Sequence, residues 1–226
     1  IEIKYGSFFK KVVNLFIKKK LNIFHLDVGD GEFISRKLDV TQKLKYIKKL
    51  NKNHEVHLHL MVNNPHVSKF ILNDYISHYA NLGADYIGVH RRTFENTNEM
   101  EKAIQKIISL KKKPGIFIEI DEDFDFELSS IVLKYNIRWI VFMGVPIGYG
   151  GQFFNKTIIP KIKKTLNFLK KRKHKNKIEI DGGLTTEVID QLNTVGVDYF
   201  AGWSIVKGKN LNEISFKLDN LKKYLN

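Results

Sequence analysis

The sequence contains no cysteine, only four prolines and few arginines. Without cysteine the chain forms no disulfides and no thiolate metal sites, so any metal ion must be held by imidazole and carboxylate groups. No apolar run approaches the roughly 18 residues that a membrane helix needs, so we expect no membrane partner. The stretch at 1–20 mixes lysine into its apolar positions, unlike a signal peptide, and we therefore expect a cytoplasmic protein.

The chain carries 38 basic against 24 acidic residues, which gives a formal net charge of +14. Such an excess can mark a nucleic-acid-binding surface. Only five of the basic residues are arginine, however, although the planar arginine side chain is the preferred group for recognising phosphates and base edges. The lysines are scattered, and the densest run, at 170–177, precedes a predicted strand as a solvated helix end would. We therefore expect no nucleic-acid partner.

Short β-branched and aromatic segments alternate with longer helical segments along the 226 residues. This alternation is typical of β-α-β units that build a parallel sheet. Seven strands are predicted, at 23–28, 55–62, 84–90, 115–120, 138–145, 177–181 and 198–202. The segment IEIKY at 1–5 is predicted to be a further strand, the first of eight.

Apolar residues at helical spacing separate the strands, in stripes such as Ala103, Ile104, Ile107 and Ile108. Two folds accommodate this pattern, a (β/α)8 barrel and a doubly wound open sheet. The open sheet is disfavoured, because no G-x-G-x-x-G motif follows the first strands and the glycine-rich loops come late. Since no Pro/Gly/Ser-rich linker divides the chain, we predict one domain over 1–226, an α/β protein with a (β/α)8 TIM barrel of the phosphate-binding type.

Four polar side chains occur where barrel strands carry catalytic groups, at their carboxyl ends. The period of two places His25 and Asp27 on one face of their strand; His59 is near the end of the next, and Asp181 ends the strand at 177–181. A lone histidine on an apolar strand is more often a hydrogen-bonded core residue than a ligand. Four nitrogen and oxygen donors would be costly to bury without a partner, which a divalent cation supplies. We predict one divalent metal ion, and zinc, iron, manganese and cobalt all suit this donor set.

Glycine-rich segments follow three of the predicted strands, at 144–154, 181–183 and 201–204. Glycine lets the backbone approach a ligand closely, and amides near a helix N-terminus favour an anion. Thr185 and Thr186 before Glu187 are typical of such a helix start. Ordinary tight turns would explain any one of the three segments. Together they indicate a phosphate site, which in barrels often lies between the loops after the last two strands.

These motifs and their order resemble those of the ribulose-phosphate 3-epimerase family, from about residue 23 to the C-terminus. HLDVGDGEF at 25–33 is similar to the family pattern H-x-D-V-M-D-G-x-F, and HLMVNNP at 59–65 to H-L-M-V-x-x-P. MGVPIGYGGQFF at 143–154 is similar to M-T-V-x-P-G-F-G-G-Q-x-F. IDGGL at 180–184 and FAGWSI at 200–205 are similar to the V-D-G-G and A-G-S-x-I motifs.

The resemblance implies a metal-dependent isomerase of carbohydrate metabolism, which epimerises carbon 3 of a ketose phosphate through an enediolate. It implies that His25, Asp27, His59 and Asp181 are the metal ligands, and that Asp27 and Asp181 are also the catalytic acid and base. The implied substrate-binding positions are two pocket methionines and the residues that border the phosphate: Met61, Met143, Gly148, Gly150, Gly151, Gly182, Gly183, Gly202 and Trp203. The partner would be a small sugar phosphate, and we expect a homo-oligomer.

The chain departs from the family pattern in the substrate wall. Gly29 replaces a pocket methionine, Trp203 stands where the family has serine, and Arg92 occupies a glutamate position. Three readings stay open: an epimerase of ribulose 5-phosphate and xylulose 5-phosphate, an epimerase of another ketose phosphate such as allulose 6-phosphate, and a divergent paralogue with weak or no activity. A phosphate-binding lyase is disfavoured, because it would want a lysine at a strand end beside the aspartates.

Overall fold

The computed structural model describes residues 3–63 and 70–225. The chain forms two compact units, Ile1–Ile116 and Phe117–Asn226, and both alternate strand and helix as predicted. Within the described ranges, no helix combines the length and hydropathy needed to cross a membrane. The prediction of one domain over 1–226 stays a prediction.

The first unit has three parallel strands and one short antiparallel strand, in the order β2-β1-β3-β4. A single turn of 3-10 helix at Arg91–Thr93 follows β4. Strand β5 (Lys113–Ile118) runs across the boundary between the two units. The elements of this unit before β5 are α1 (Ser7–Lys18), β1 (Ile23–Asp30), β2 (Lys37–Leu38), α2 (Thr41–Leu50), β3 (Glu55–Met61), α3 (Phe70–Leu82), β4 (Tyr86–His90) and α4 (Thr97–Ser109).

In the second unit, three strands are parallel and follow in the order β6-β7-β8. Helices alternate with them along the chain: α5 (Phe126–Lys134), β6 (Trp139–Met143), α6 (Ile158–Lys171), β7 (Lys177–Asp181), α7 (Thr186–Asn193), β8 (Tyr199–Ala201) and α8 (Leu211–Leu221). All five residues of β6 are buried, which is what a near-continuous apolar strand in a parallel sheet requires.

Four helices begin at a capping side chain, one of them at the predicted start. The side chains of Asn96, Asp125, Thr185 and Asn210 each accept a hydrogen bond from a backbone N–H of the first turn, at the start of α4, α5, α7 and α8 respectively. The predicted stripe of α4 is buried at three of its four positions, and Ile108 is exposed. The predicted helix start at Thr185 is therefore confirmed.

The N-terminal segment differs from its prediction. The sequence predicts a strand at IEIKY, but 3–5 have no strand structure, and 1–2 lie outside the described residues. A helix begins at Ser7 instead. It buries Phe9, Val12, Val13 and Phe16, an i, i+3, i+4, i+7 stripe, and five alternating residues are too short a pattern to compete with such a stripe.

Candidate functional site

Strands β1 and β3 bring three of the predicted metal ligands together. The strands pair in parallel with Asp27 opposite His59, so these two side chains lie on the same face of the sheet. Asp27 Oδ1 lies 3.2 Å from His25 Nε2 and 3.2 Å from His59 Nδ1. One carboxylate oxygen and two imidazole nitrogens therefore converge, with their ligand atoms within 4.8 Å of one another.

The spacing of these three atoms suits a metal ion. Two ligands bound about 2.1 Å from one ion at a tetrahedral angle lie about 3.4 Å apart. The observed contacts of 3.2 Å to Asp27 Oδ1 are close to that separation. Imidazole nitrogen and carboxylate oxygen, without sulfur, are donors that zinc, iron, manganese and cobalt all accept. The three residues thus fit the predicted divalent cation.

The carboxyl group of Asp27 is held in its charged form. Burial alone would raise the pKa of Asp27, but the close contact with His25 and the hydrogen bond with His59 outweigh burial and lower that pKa well below its ordinary value. A carboxyl group binds a metal ion most strongly in its deprotonated form. The neighbours of Asp27 therefore prepare it as a ligand.

His90 is a fourth side chain in this group and lies on the side of His59 that faces the protein interior. It ends β4, its side chain is fully buried, and its Nε2 lies 2.6 Å from His59 Nε2. Burial, followed by the charges of His59 and Arg92, lowers the pKa of His90 well below its ordinary value, so this imidazole is neutral. His90 is absent from the predicted site residues, although its position at the end of a strand is the signal that would have found it.

The loop after β1 is tied to the segment after β3. The side chain of Asp30 accepts hydrogen bonds from the backbone N–H groups of Glu32 and Phe33, each at 2.8 Å, and from that of Asn63 at 2.6 Å. The guanidinium of Arg92 lies 4.1 Å from the centre of the Phe33 ring. The ring of Phe33 also lies 5.0 Å from that of His90, so this loop packs an aromatic side chain against the buried histidine.

Gly29 is in close contact with the same loop. A Cβ atom at Gly29 would lie 2.8 Å from Ile34 Cδ1 and 2.6 Å from the carbonyl oxygen of Arg36. Met61, a predicted substrate-binding residue, is the register partner of Gly29 and is buried. The side chain of Ile34 thus fills the space that a larger residue would occupy on the site face of β1.

In the second unit, Asp181 lies at the carboxyl end of β7. Its register partners are Met143 of β6 and Ala201 of β8, so the predicted methionine is its neighbour in the sheet. The backbone N–H of Gly144 donates to the carbonyl oxygen of Asp181 at 2.7 Å, and that of Gly182 donates to Ala201 at 3.0 Å. The loops after β6, β7 and β8 therefore begin side by side.

The glycines of these loops are required by close packing. Gly182 and Gly183 have φ of +92° and +70°, in the left-handed region. A Cβ atom at Gly183 would lie 2.7 Å from the Cα of Phe154, and one at Gly202 would lie 3.0 Å from a methyl of Leu184. Three of the predicted phosphate-binding positions are thus brought together in the second unit.

The remaining predicted positions lie on the turn after β6 and the turn after β8. Gln152 closes the first turn, since its side-chain amide donates to the carbonyl oxygens of Pro146 and Tyr149, both at 2.7 Å. The glycines of this turn, Gly148, Gly150 and Gly151, lie inside or beside that closure. In the other turn Trp203 is half-buried, and its carbonyl oxygen accepts hydrogen bonds from the N–H groups of the two residues at 206–207.

Comparison with known proteins gives a consistent result. The model of the ribulose-phosphate 3 epimerase family matches residues 5–206. The ribulose-phosphate 3-epimerase of Aquifex aeolicus is 27% identical over 207 residues, which cover 91% of this chain and 86% of that protein. The enzyme of the same name from Synechocystis is 28% identical over 200 residues, covering 88% and 82%. The cytoplasmic isoform from rice is 26% identical, covering 81% and 75%.

Solved structures show the fold. A 3-hexulose-6-phosphate synthase superposes with a TM-score of 0.66 at 12% identity, covering 96% of this chain and 95% of that one. A mutant tryptophan synthase α-subunit from Pyrococcus furiosus gives 0.66 at 13% identity, covering 95% and 92%. The predicted (β/α)8 barrel is confirmed as the fold class. With a family model that matches residues 5–206, the chain belongs to the ribulose-phosphate 3 epimerase family of isomerases.

Proposed function

We propose that the chain is a divalent-metal-dependent epimerase acting at carbon 3 of a ketose phosphate, interconverting ribulose 5-phosphate and xylulose 5-phosphate or a close analogue. Family membership supports the reaction type. The observation that carries the proposal is the contact of Asp27 Oδ1 with both His25 Nε2 and His59 Nδ1. A carboxylate placed between two imidazoles, at the carboxyl ends of barrel strands, is suited to metal binding and to proton transfer.

The proposed metal ligands are His25, Asp27, His59 and Asp181. Zinc, iron, manganese and cobalt are the candidate ions, because the donors are imidazole and carboxylate. When bound, such a cation would stabilise the negative charge that builds up on the oxygens of the substrate. The lowered pKa of Asp27 supports this assignment, because its carboxylate needs no deprotonation before the ion binds.

Asp27 and Asp181 are also the proposed acid and base. Epimerisation at carbon 3 requires removal of the proton from one face of the carbon, which leaves an enediolate, and return of a proton to the opposite face. One carboxylate accepts the first proton and the other, in its acid form, donates the second; the roles exchange in the reverse direction. Asp27 lies in the carboxyl-terminal half of β1 and Asp181 is the last residue of β7, and two carboxylates on different strands can approach one carbon from different sides.

The phosphate group is proposed to bind at the glycine-rich loops of the second unit. Gly182 and Gly183 precede the capped N-terminus of α7, where free backbone N–H groups and the helix dipole favour an anion. Met61 and Met143 would contact the apolar part of the substrate. The other proposed substrate contacts are Gly148, Gly150, Gly151, Gly202 and Trp203.

Metal analysis combined with an epimerase assay tests the proposal. We expect about one divalent transition metal ion per chain, and conversion of ribulose 5-phosphate that is lost when a chelator removes the ion. A His59→Ala variant should lose both metal and activity. Full metal content and full activity in that variant would exclude the site. As a matched control, His78→Ala removes a histidine of α3 whose Nε2 contacts Thr41, and it should keep both.

Substrate identity is tested with ribulose 5-phosphate and allulose 6-phosphate in parallel. The departures at Gly29, Arg92 and Trp203 favour a lower activity on ribulose 5-phosphate than an ordinary enzyme shows. A kcat/KM of roughly 10⁴ M⁻¹s⁻¹ or above on that sugar would show that the altered wall is tolerated. A higher value on allulose 6-phosphate would assign the chain to the other ketose.

We also propose that the chain is a single domain, that it forms a homo-oligomer and that it is located in the cytoplasm. A homo-oligomer would have a multiple of the chain mass of 26.4 kDa by light scattering. A single domain would unfold in one cooperative transition.

A further inference from the structure

We propose that His90 is a positioning residue, which accepts the Nε2–H of His59 in the metal-binding tautomer and so supports the lone pair of His59 Nδ1 that faces the bound metal ion. This inference rests on the proposed function, because it assumes that His59 is a ligand. It adds a residue of β4 to a site whose proposed ligands lie on β1, β3 and β7.

The two ring nitrogens of His59 have different neighbours. Nδ1 lies 3.2 Å from Asp27 Oδ1, while Nε2 lies 2.6 Å from His90 Nε2. A neutral imidazole carries one proton, and the nitrogen without it is the one that can bind a metal ion. If Nδ1 binds the ion, the proton must be on Nε2, where it is donated to His90.

His90 must then accept this hydrogen bond. An accepting Nε2 has no proton, so the proton of the neutral His90 ring lies on Nδ1. The side chain of His90 is fully buried, its ring centre lies 4.9 Å from that of His59, and the ring of Phe33 lies 5.0 Å away on another side. These contacts keep the acceptor nitrogen aimed at His59.

Without the ion, the same two rings have a second arrangement. His59 Nδ1 then donates to Asp27, and His59 Nε2 accepts from His90 Nε2. Both arrangements keep the short contact between the rings, because only the positions of the protons differ. Metal binding therefore selects one pair of tautomers, and His90 stabilises the metal-binding form by satisfying the N–H that faces the protein interior.

Two substitutions separate the hydrogen bond from the packing of the ring. His90→Phe keeps a ring of similar size but removes the acceptor, and His90→Gln keeps an amide oxygen that can accept from His59. We expect His90→Phe to weaken zinc and cobalt binding by about 10- to 100-fold, as loss of such outer partners typically does. We expect His90→Gln to bind within a few-fold of the unsubstituted protein. Competition with a chromophoric chelator measures these affinities.

His57→Gln is the matched control. His57 is also buried, lies on the same strand as His59, and contacts Glu55 through a 2.7 Å hydrogen bond. We expect this variant to lose stability in urea without losing metal affinity. The comparison shows whether loss of any buried histidine weakens metal binding, or only loss of the one that contacts His59.

Nitrogen-15 chemical shifts of the histidine rings provide a readout that needs no substitution. In the zinc-loaded protein we expect the proton of His59 on Nε2 and that of His90 on Nδ1. A zinc-loaded His90 with its proton on Nε2 would overturn the proposal. So would metal affinity of His90→Phe within two-fold of the unsubstituted protein, or equal losses in His90→Phe and His90→Gln. If the unsubstituted chain binds no metal ion, the proposed metal site fails as well.

Discussion

Two regions of the molecule differ in what brings their atoms together. The first region is the carboxyl ends of β1, β3 and β4, and the second is the loops after β6, β7 and β8. In the first region, side-chain atoms of Asp27, His59 and His90 meet at 2.6 to 3.2 Å. In the second region, the absence of side chains at Gly182 and Gly183 lets backbone segments touch. The first region should therefore lose function when atoms are removed while the fold persists. The second should lose stability when a single methyl group is added.

Asp27→Asn should have the largest effect on function. The variant keeps the shape of the side chain but removes a metal-binding charge and a proton acceptor, so we expect epimerisation to fall by about 10²- to 10⁴-fold with excess metal present. Activity measured at saturating zinc or cobalt gives this loss. Asp181→Asn should behave alike. Proton exchange with deuterated water, without formation of the epimer, would show that the remaining carboxylate still works on its own face.

Asp74→Asn controls for the loss of an acidic residue, because Asp74 lies exposed on α3. It should retain full activity. If Asp27→Asn, fully loaded with metal, converted substrate at the rate of the unsubstituted chain, the first region would have no catalytic carboxylate on β1 and the contrast between the regions would fail.

Much of the first region could be predicted from local sequence. The period of two placed His25 and Asp27 on one face, and β-branched runs located all seven predicted strands. His90 was missed because its contact with His59 depends on the register of β3 and β4, in which His59 lies opposite Gly88. No local pattern specifies that register. The strand-end position alone marks His90 as a polar residue near the site, and only the pairing of the two strands shows that it contacts His59.

The loop at 31–38 also forms contacts that local sequence patterns do not predict. Gly29 replaces a pocket methionine of the family pattern, but the side chain of Ile34 fills the space beside Gly29, because the chain folds back and pairs β2 with β1. A two-residue strand has no recognisable period, so β2 was not predicted. In the second region the glycine motifs predict a close approach of the backbone to a phosphate group, which stays a prediction. They do not predict the contact that the structure shows, that of Gly183 with Phe154.

Gly183→Ala should destabilise the second region, because backbone conformation and crowding both oppose the added methyl group. Its φ of +70° is unfavourable for alanine, and the added Cβ would lie 2.7 Å from the Cα of Phe154. We expect a loss of about 1–3 kcal/mol in the free energy of unfolding, measured in urea. The loop after β7 should also bind sugar phosphate more weakly, seen as a raised KM.

Gly151→Ala serves as a comparison for Gly183→Ala, because it tests the effect of backbone strain without crowding. Gly151 also has a positive φ, +81°, but nothing lies within 4 Å of its Cβ position. Its loss of stability should come from backbone conformation alone and should be smaller, about 1 kcal/mol. Equal losses at the two positions would mean that the contact with Phe154 contributes nothing.

Gly29→Ala tests whether the first region also contains a position where added atoms are harmful. The new Cβ would lie 2.8 Å from Ile34 Cδ1, so Ile34→Ala should relieve part of the crowding. In a double-mutant cycle we expect a favourable coupling of about 1 kcal/mol. Relief should be incomplete, because the carbonyl oxygen of Arg36 remains 2.6 Å away. A coupling of zero would show that Ile34 does not close the wall beside Gly29.

The smallest effect is expected at the amino end of β3, where Glu55 forms a second histidine–carboxylate pair. A hydrogen bond from His57 lowers the pKa of Glu55, and burial only partly opposes it. A lowered pKa in the folded state stabilises the protein fully above the pKa of the unfolded chain, about 4.3, and this stabilisation is lost as the pH falls through the folded-state value. Glu55→Gln should therefore cost stability at pH 6 and progressively less below about pH 4.

The effect of Glu55→Gln on stability should be small, and the substitution should leave function at the other end of β3 unchanged. The side chain of Glu55 is 31% exposed, so solvent screening should keep the loss at pH 6 to at most about 1 kcal/mol, measured by urea unfolding at each pH. Metal affinity and epimerase activity should not change, because in a barrel the amino ends of the strands support stability and the carboxyl ends support catalysis. Loss of metal from Glu55→Gln would mean that β3 acts as one connected unit, and that the site reaches further down the strand than His59.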